Sequence, residues 1–211
     1  MAERLMLAER VWLMLASANT GRPREMRLAV AVTAATILDL LEAGAVENIG
    51  SRMRLVEPAP HGRLLRDAWD RLASADGEPL RITYALNAIH PIWDDVAESL
   101  HQRGLTTRRS RRVFPDEFDF SDRGRTVRRE VVERCRVALS APDRLDHDNR
   151  LLLMALWAAD GVETGLSESM FLTDHSVLAH VEGLFDDDPL ATALAEAIAY
   201  TTSVVALRPI W

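Results

Sequence analysis

The apolar residues of this 211-residue chain recur every three or four positions over most of its length, and this spacing constrains the fold more than any other feature. In the first such segment, the apolar positions are Leu5, Ala8, Val11, Trp12 and Leu15. The same spacing predicts further helices at about 27–43, 62–74, 82–89, 91–104, 122–139, 148–160, 174–184 and 189–206. No flexible linker separates these segments. We therefore expect a mainly α-helical fold, with one domain over residues 1–211.

Two glycines mark the ends of predicted helices and the starts of predicted hairpins. Gly44 and Gly104 each stop a helix, since glycine is common just after a helix C-terminus. Each is followed by alternating residues that predict a β-hairpin, at 45–56 and at Leu105–Phe120. The expected architecture is a helical core with two β-hairpins, and the hairpin at 105–120 is expected to project from it.

Composition excludes several classes of protein. The longest apolar stretches, Leu5–Ala16 and Leu151–Ala159, are shorter than the roughly 18 to 20 residues of a membrane-spanning helix. Glu3 and Glu9 interrupt the N-terminal apolar segment, so it does not resemble a secretory signal. The single cysteine, Cys135, excludes an internal disulfide framework and a cysteine-rich metal site. We expect a cytoplasmic location, with any membrane contact at the inner face.

All 25 basic residues are arginines, and they are unevenly distributed along a chain whose net charge is −7. A helix followed by a glycine and a hairpin also occurs in winged-helix DNA-binding domains. The net negative charge and the lack of a basic recognition helix nevertheless argue against nucleic acid as a partner. The arginines concentrate in one region, which predicts a local basic surface. Their positions there are 103, 108, 109, 111, 112, 123, 125, 128, 129, 134 and 136.

The first candidate site is an anion site near the start of the second helix. Arginine presents several donors in a planar fork that suits phosphate oxygens, and a tryptophan ring suits a lipid interface. The alternative interpretation is a solvated loop before a helix. The residues concerned are Arg22, Arg24, Arg27, His90 and Trp93.

The second candidate is the arginine-rich hairpin. Basic residues beside phenylalanines bind an anionic membrane by charge and by shallow insertion. In the alternative interpretation, the phenylalanines pack in the core or at a subunit interface while the arginines pair with local acids. The basic positions are Arg108, Arg109, Arg111 and Arg112, and the aromatic positions, also expected to mediate self-association, are Phe114, Phe118 and Phe120.

Two acidic patterns form the third candidate, a Mg²⁺ site. Asp94, Asp95 and Glu98 fit the D-D-x-x-E pattern of class I terpene synthases. A second set, spaced i, i+4 and i+8, resembles the other metal-binding triad of that family, although it lacks the aspartate that usually follows its first residue. That spacing places carboxylates on one helix face, where they hold Mg²⁺ against a diphosphate. The second set is Asp122, Thr126 and Glu130.

Four stretches in order resemble the Golgi phosphoprotein 3 family, whose bacterial members this chain is most similar to. They are Leu5–Leu13, Ala34–Val46, Leu100–Gly104 and Asp148–Leu156. Each stretch alone is mostly core leucines, but their order and spacing extend the resemblance over nearly the whole chain. The resemblance implies a mainly α-helical fold with a projecting β-hairpin, which in eukaryotic members contributes to self-association and membrane contact.

The resemblance also implies where a lipid would bind. Eukaryotic members bind phosphatidylinositol 4-phosphate through a tryptophan and an arginine near the second helix and two arginines on a later helix. The family's residue types are not retained at the corresponding positions. Aligned from the two helix-ending glycines, these positions are Arg24, Thr33, His90 and Trp93, and a different gap gives Asn87 and His90 for the later pair.

Two functional hypotheses remain open at this point. The first is a non-catalytic peripheral membrane protein that binds an anionic or phosphorylated lipid, uses no cofactor and self-associates through the 105–120 hairpin. The second is a Mg²⁺-dependent enzyme that acts on an isoprenoid diphosphate through the two acidic patterns. Both need phosphate chemistry beside an apolar surface, so the sequence separates them poorly.

Overall fold

A computed structural model describes residues 4–17, 20–23, 25–75, 79–110, 116–140, 145–166 and 175–206. Within these ranges the helices are α1 (Leu7–Leu15), α2 (Met26–Glu42), α3 (Arg63–Ala73), α4 (Ile82–Ile89), α5 (Trp93–Gln102), α6 (Asp122–Ser140), α7 (His147–Ala158), α8 (Val162–Leu166), α9 (His175–Phe185) and α10 (Pro189–Ala206). The strands are β1 (Val46–Ile49), β2 (Arg52–Leu55), β3 (Leu80–Arg81), β4 (Thr106–Arg109) and β5 (Glu117–Phe120). The mainly α-helical fold predicted from the spacing is confirmed.

Both predicted hairpins form at the predicted places. Strands β1 and β2 pair antiparallel through a two-residue turn at Gly50-Ser51, and β3 pairs with β2 to complete a three-stranded sheet. Strands β4 and β5 form the second hairpin, in which Arg109 pairs with Glu117. The tip of this hairpin, residues 111–115, lies outside the described residues.

The structure differs from the sequence prediction in three places. Strand β3 and helix α8 were not predicted, because two and five residues are too few to show a period. Helix α5 begins at Trp93 and not at Pro91, the first helical position that the sequence predicts. Pro91 lies instead in a loop, where its carbonyl accepts a hydrogen bond from Arg71 at 3.4 Å.

Helix α1 lies at the centre of the protein. All of its residues except Arg10 are buried, and it packs against α2, α5, α6, α7 and α8. The fully buried ring of Trp12 lies 5.5 Å, centroid to centroid, from each of two other rings, those of Trp93 and Phe120. This aromatic cluster joins α1 to the start of α5 and to the second hairpin.

The backbone of Gly21 lies close to the aromatic cluster and to strand β5. The indole Nε1 of Trp93 donates a hydrogen bond to the Gly21 carbonyl at 2.9 Å. Gly21 has a φ of +59°, and a Cβ atom there would lie 1.9 Å from the Phe118 carbonyl oxygen. Only glycine combines that conformation with that proximity. The loop before α2 is therefore held against both α5 and β5.

The free amides at the N-terminus of α1 are bound by a partly buried carboxylate on α2. The Asp39 oxygens accept hydrogen bonds from the amides of Leu7 and Ala8, both at 2.8 Å. Free amides at a helix start need such acceptors where water is excluded. Burial raises the pKa of Asp39 from 3.8 to about 6, and the two amide hydrogen bonds oppose that rise.

A second acid joins α1 to the end of α5. Glu9, which is fully buried, accepts a hydrogen bond from Arg103 at 2.5 Å and another from the Ser99 hydroxyl at 2.8 Å. It also accepts from the amide of Met6 at 3.0 Å, so it caps its own helix. A buried carboxylate with this many donors is well compensated for its lost hydration.

Because the Phe118 carbonyl lies so close to Gly21, adding one methyl group at this position should strongly lower the stability of the fold. Gly21→Ala should lower the free energy of unfolding by about 2 kcal/mol or more, because backbone strain and a clash with the Phe118 carbonyl add together. Gly50→Ala is the matched control, since Gly50 has a φ of +66° but open space around its Cβ position. Urea denaturation measures both, and equal losses in the two variants would contradict the clash.

The raised pKa of Asp39 predicts a particular pH dependence. Between 3.8 and about 6 the native carboxyl binds more protons than the unfolded one, so this group's contribution to stability falls as pH rises through that window. The integrated effect is about 3 kcal/mol at most. Asp39→Asn removes this titration. The stability difference between wild type and variant, measured by urea denaturation, should therefore shrink between about pH 4 and about pH 7. A constant difference would refute the shift.

Candidate functional site

The predicted anion site lies where the loop before α2 meets the segment between α4 and α5. The hydroxyl of Thr33 on α2 lies 3.3 Å from Nδ1 of His90, which follows α4. The Gly21–Trp93 hydrogen bond holds the loop that carries Arg22 against the start of α5. Met26 lies two helical turns before Thr33 on the same side of α2 and is 49% exposed. We call Arg22, Met26 and His90, together with the fully buried Thr33 that contacts His90, the α2–α5 face.

Acidic neighbours modulate the charge of the α2–α5 face. Arg22, about half exposed, lies 3.9 Å from a carboxylate oxygen of the buried Glu117. Burial raises the pKa of Asp94 at the start of α5, the neighbouring Asp95 raises it further, and Arg22 lowers it. The arginine therefore has carboxylates nearby, while about half of its side chain is exposed.

Two other residues of the predicted anion site, Trp93 and Arg27, are placed differently from the expectation. Trp93 is 6% exposed and packs on Trp12, so its ring belongs to the core and does not supply the amphipathic surface predicted for it. Arg27 forms an ion pair with Asp160, in the turn after α7. Arg24 lies outside the described residues.

In the described part of the second hairpin, the phenylalanines pack in the core and the arginines pair with local acids, as in the alternative interpretation of the sequence. Phe118 and Phe120 are 6% and 3% exposed and pack in the core of the chain, so they are not free to contact a membrane or a second copy. Arg108 pairs with Asp116 and lies 3.5 Å from Glu98, while Arg109 pairs with Asp119 at 2.7 Å. The remaining predicted residues, Arg111, Arg112 and Phe114, lie outside the described residues.

The two acidic patterns do not form one site. Asp95 is bound by Arg71 at 2.9 Å and lines a cavity of about 300 Å³, whereas Glu130 lines a different cavity on α6. The side chain of Asp122 is 98% exposed and pairs with Arg125, and the Thr126 hydroxyl donates to the Asp122 carbonyl within the helix. Among the described residues, no group of three or more His, Cys, Asp or Glu side chains is placed to hold a metal ion. The two acidic patterns therefore do not combine into the single Mg²⁺ site that the sequence predicted.

A cavity of about 490 Å³ gathers arginines that the sequence did not mark as a site. The lining arginines, which we call the arginine pocket, are Arg4, Arg10, Arg103, Arg123 and Arg134. Three of them, Arg103, Arg123 and Arg134, belong to the arginine-rich region of the sequence, which predicted a basic surface but no specific site. A more specific signal is present on α6, where the lining residues are spaced i, i+4, i+7, i+8 and i+11 and so share one helix face. They are Arg123, Val127, Glu130, Val131 and Arg134.

Comparison with known proteins identifies the family. No helix in the described part of the chain is long and apolar enough to cross a bilayer. No curated protein sequence matches the chain. The family model for Golgi phosphoprotein 3 (GPP34) matches residues 7–201, which extend from the start of α1 into α10. The match covers more than half of the chain, and it includes the α2–α5 face and the second hairpin. The chain therefore belongs to the Golgi phosphoprotein 3 (GPP34) family.

Proposed function

We propose that this protein is a peripheral membrane protein that binds phosphorylated lipid headgroups through the α2–α5 face, without catalysis. The observation that carries the proposal is the contact between Thr33 and His90, 3.3 Å apart. These two positions align with headgroup ligands of eukaryotic family members, and the contact supports treating them as parts of one site. The family match over residues 7–201 includes both positions.

The chemistry of the α2–α5 face suits a phosphate at an interface. Arg22 supplies a guanidinium that forms paired hydrogen bonds with phosphate oxygens. His90 adds a ring nitrogen that donates to phosphate when it carries a proton. Met26 is an exposed apolar side chain at the start of α2, suited to shallow insertion beside a headgroup. Charge and apolar contact together are what reversible membrane binding requires.

The face differs chemically from a site built of several arginines. At the two aligned positions, the buried Thr33 and the partly buried His90 stand in place of two guanidinium groups, so fewer fixed positive charges are available to a ligand. Added salt should still weaken binding, since the remaining charge contact of Arg22 is partly exposed and screened. We expect a preference for phosphorylated over unphosphorylated headgroups, with modest affinity.

Vesicle flotation tests the proposal. Wild-type protein should float with phosphatidylcholine vesicles that contain phosphatidylinositol 4-phosphate, and added salt should weaken binding. Arg22→Ala combined with Met26→Ser should reduce the partition coefficient roughly tenfold, because one charge contact and one apolar contact are lost.

Arg66→Ala is the matched control, since Arg66 is exposed on α3 and its loss changes the net charge equally. This control should float like wild type. Flotation that is absent in wild type at low salt, or that falls equally in the control, would reject the α2–α5 face as a lipid site.

A further inference from the structure

The arginine pocket lies between the N-terminus of α1, the end of α5 and one face of α6. Arg4 and Arg10 come from the N-terminal segment, Arg103 follows α5, and Arg123 and Arg134 lie on α6. Its volume of about 490 Å³ falls in the range of small-molecule sites. Side chains from three separate elements therefore converge on a space large enough for a small ligand.

Positive charge exceeds negative charge in this pocket. Five arginines line it, against two carboxylates, those of Glu130 and Asp148. Asp148 pairs with Arg4, and Glu130 lies 4.0 Å from Arg134. Three acids outside the lining also act on these arginines: Glu9 pairs with Arg103, while Asp39 and Asp146 lie near Arg10. The excess of arginines is therefore a property of the residues that line the pocket.

Arg10 is the residue whose surroundings point most directly to a ligand. Its Nε atom is buried and has no hydrogen-bond partner within the described part of the chain. Burial lowers the pKa of Arg10, nearby Asp148 and Asp39 oppose the effect, and Arg4 adds to it. A buried guanidinium nitrogen without an acceptor is costly, and an anion in the pocket would remove that cost.

The pocket also has apolar walls. Leu5, Leu105, Val127 and Val131 line it beside the arginines. A free inorganic ion would leave this surface uncovered, whereas a phosphate with a short organic part would cover it. The guanidinium groups supply the hydrogen-bond donors, and the aliphatic side chains supply the contact for carbon atoms.

We propose that the arginine pocket is a binding site for a phosphorylated small molecule, either a soluble phosphate ester or the exposed headgroup of a lipid. The shared chemistry is a phosphate held by Arg10 with Arg123 and Arg134, its organic part resting on Leu105 and Val127. Arg4 and Arg103 border the site through the ion pairs that hold them in position.

This site is separate from the α2–α5 face. The face lies at the N-terminal end of α5, while Arg103 follows its C-terminal end, and a helix of 10 residues is about 15 Å long. The two sites share no residue. Variants of one site should therefore leave the other intact. A negative result at the α2–α5 face would not test the arginine pocket.

Calorimetric titration with inorganic pyrophosphate and with glycerol 3-phosphate tests the pocket. Wild-type protein should bind both, and Arg10→Gln should weaken binding about tenfold, since a buried charge-assisted contact is lost. Arg134→Gln serves as a second variant that does not disturb the core, because its side chain is 77% exposed. It should weaken binding about threefold.

Arg66→Gln is the control for net charge and should bind like wild type. Arg22→Gln removes the phosphate contact proposed at the α2–α5 face, so the weakening caused by each pocket variant should be the same in an Arg22→Gln background. No binding by wild type, or equal weakening in the Arg66→Gln control, would overturn the proposal. So would binding that survives in both pocket variants.

Flotation with phosphatidylcholine vesicles that contain phosphatidic acid separates the two sources of phosphate. Flotation that is lost in Arg134→Gln supports a lipid headgroup as the occupant. Wild-type-like flotation in a variant that has lost glycerol 3-phosphate binding supports a soluble ester.

Discussion

Helix α1 begins inside the protein, and two carboxylates, Asp39 partly buried and Glu9 fully buried, make that arrangement stable. Asp39 accepts the first amides of α1, while Glu9 binds Arg103 and Ser99 at the far end of α5. A helix start excluded from water would otherwise leave several donors without acceptors. Because these acids lie on α1 and α2 and reach α5, they fix the three helices relative to one another. The α2–α5 face and the arginine pocket both depend on that arrangement.

Much of the fold could be predicted because local chemistry sets the helix ends. Helix α10 shows this most clearly: Pro189 is its first residue, and Asp188 accepts hydrogen bonds from the amides of Leu190 and Ala191 at 3.0 and 3.2 Å. Gly44 and Gly104 likewise follow helices in the left-handed conformation. Strand β3 could not be predicted, because its two residues gain their structure only from pairing with β2.

The sites were less predictable, because their decisive contacts join residues far apart in sequence. Trp93 lies in the core and donates a hydrogen bond to the carbonyl of Gly21, which is 72 residues away in sequence. Nothing in the local sequence of Trp93 indicates this contact. The pocket likewise joins Arg10 to arginines more than 90 positions later. The ion pair between Arg109 and Asp119 was easier to predict from the sequence. The antiparallel register of a hairpin brings acidic residues after the turn near basic residues before it.

The single cysteine of the chain has a consequence for its chemistry. Cys135 lies fully buried on α6, and burial raises the pKa of its thiol to about 12, with Arg10 opposing the rise. The thiolate is the reactive species, so the native thiol resists alkylation and oxidation, and does not cross-link two copies. Any reaction at Cys135 requires an opening that exposes the buried side of α6. The rate of thiol labelling therefore reports how often this side of α6 becomes accessible by local unfolding.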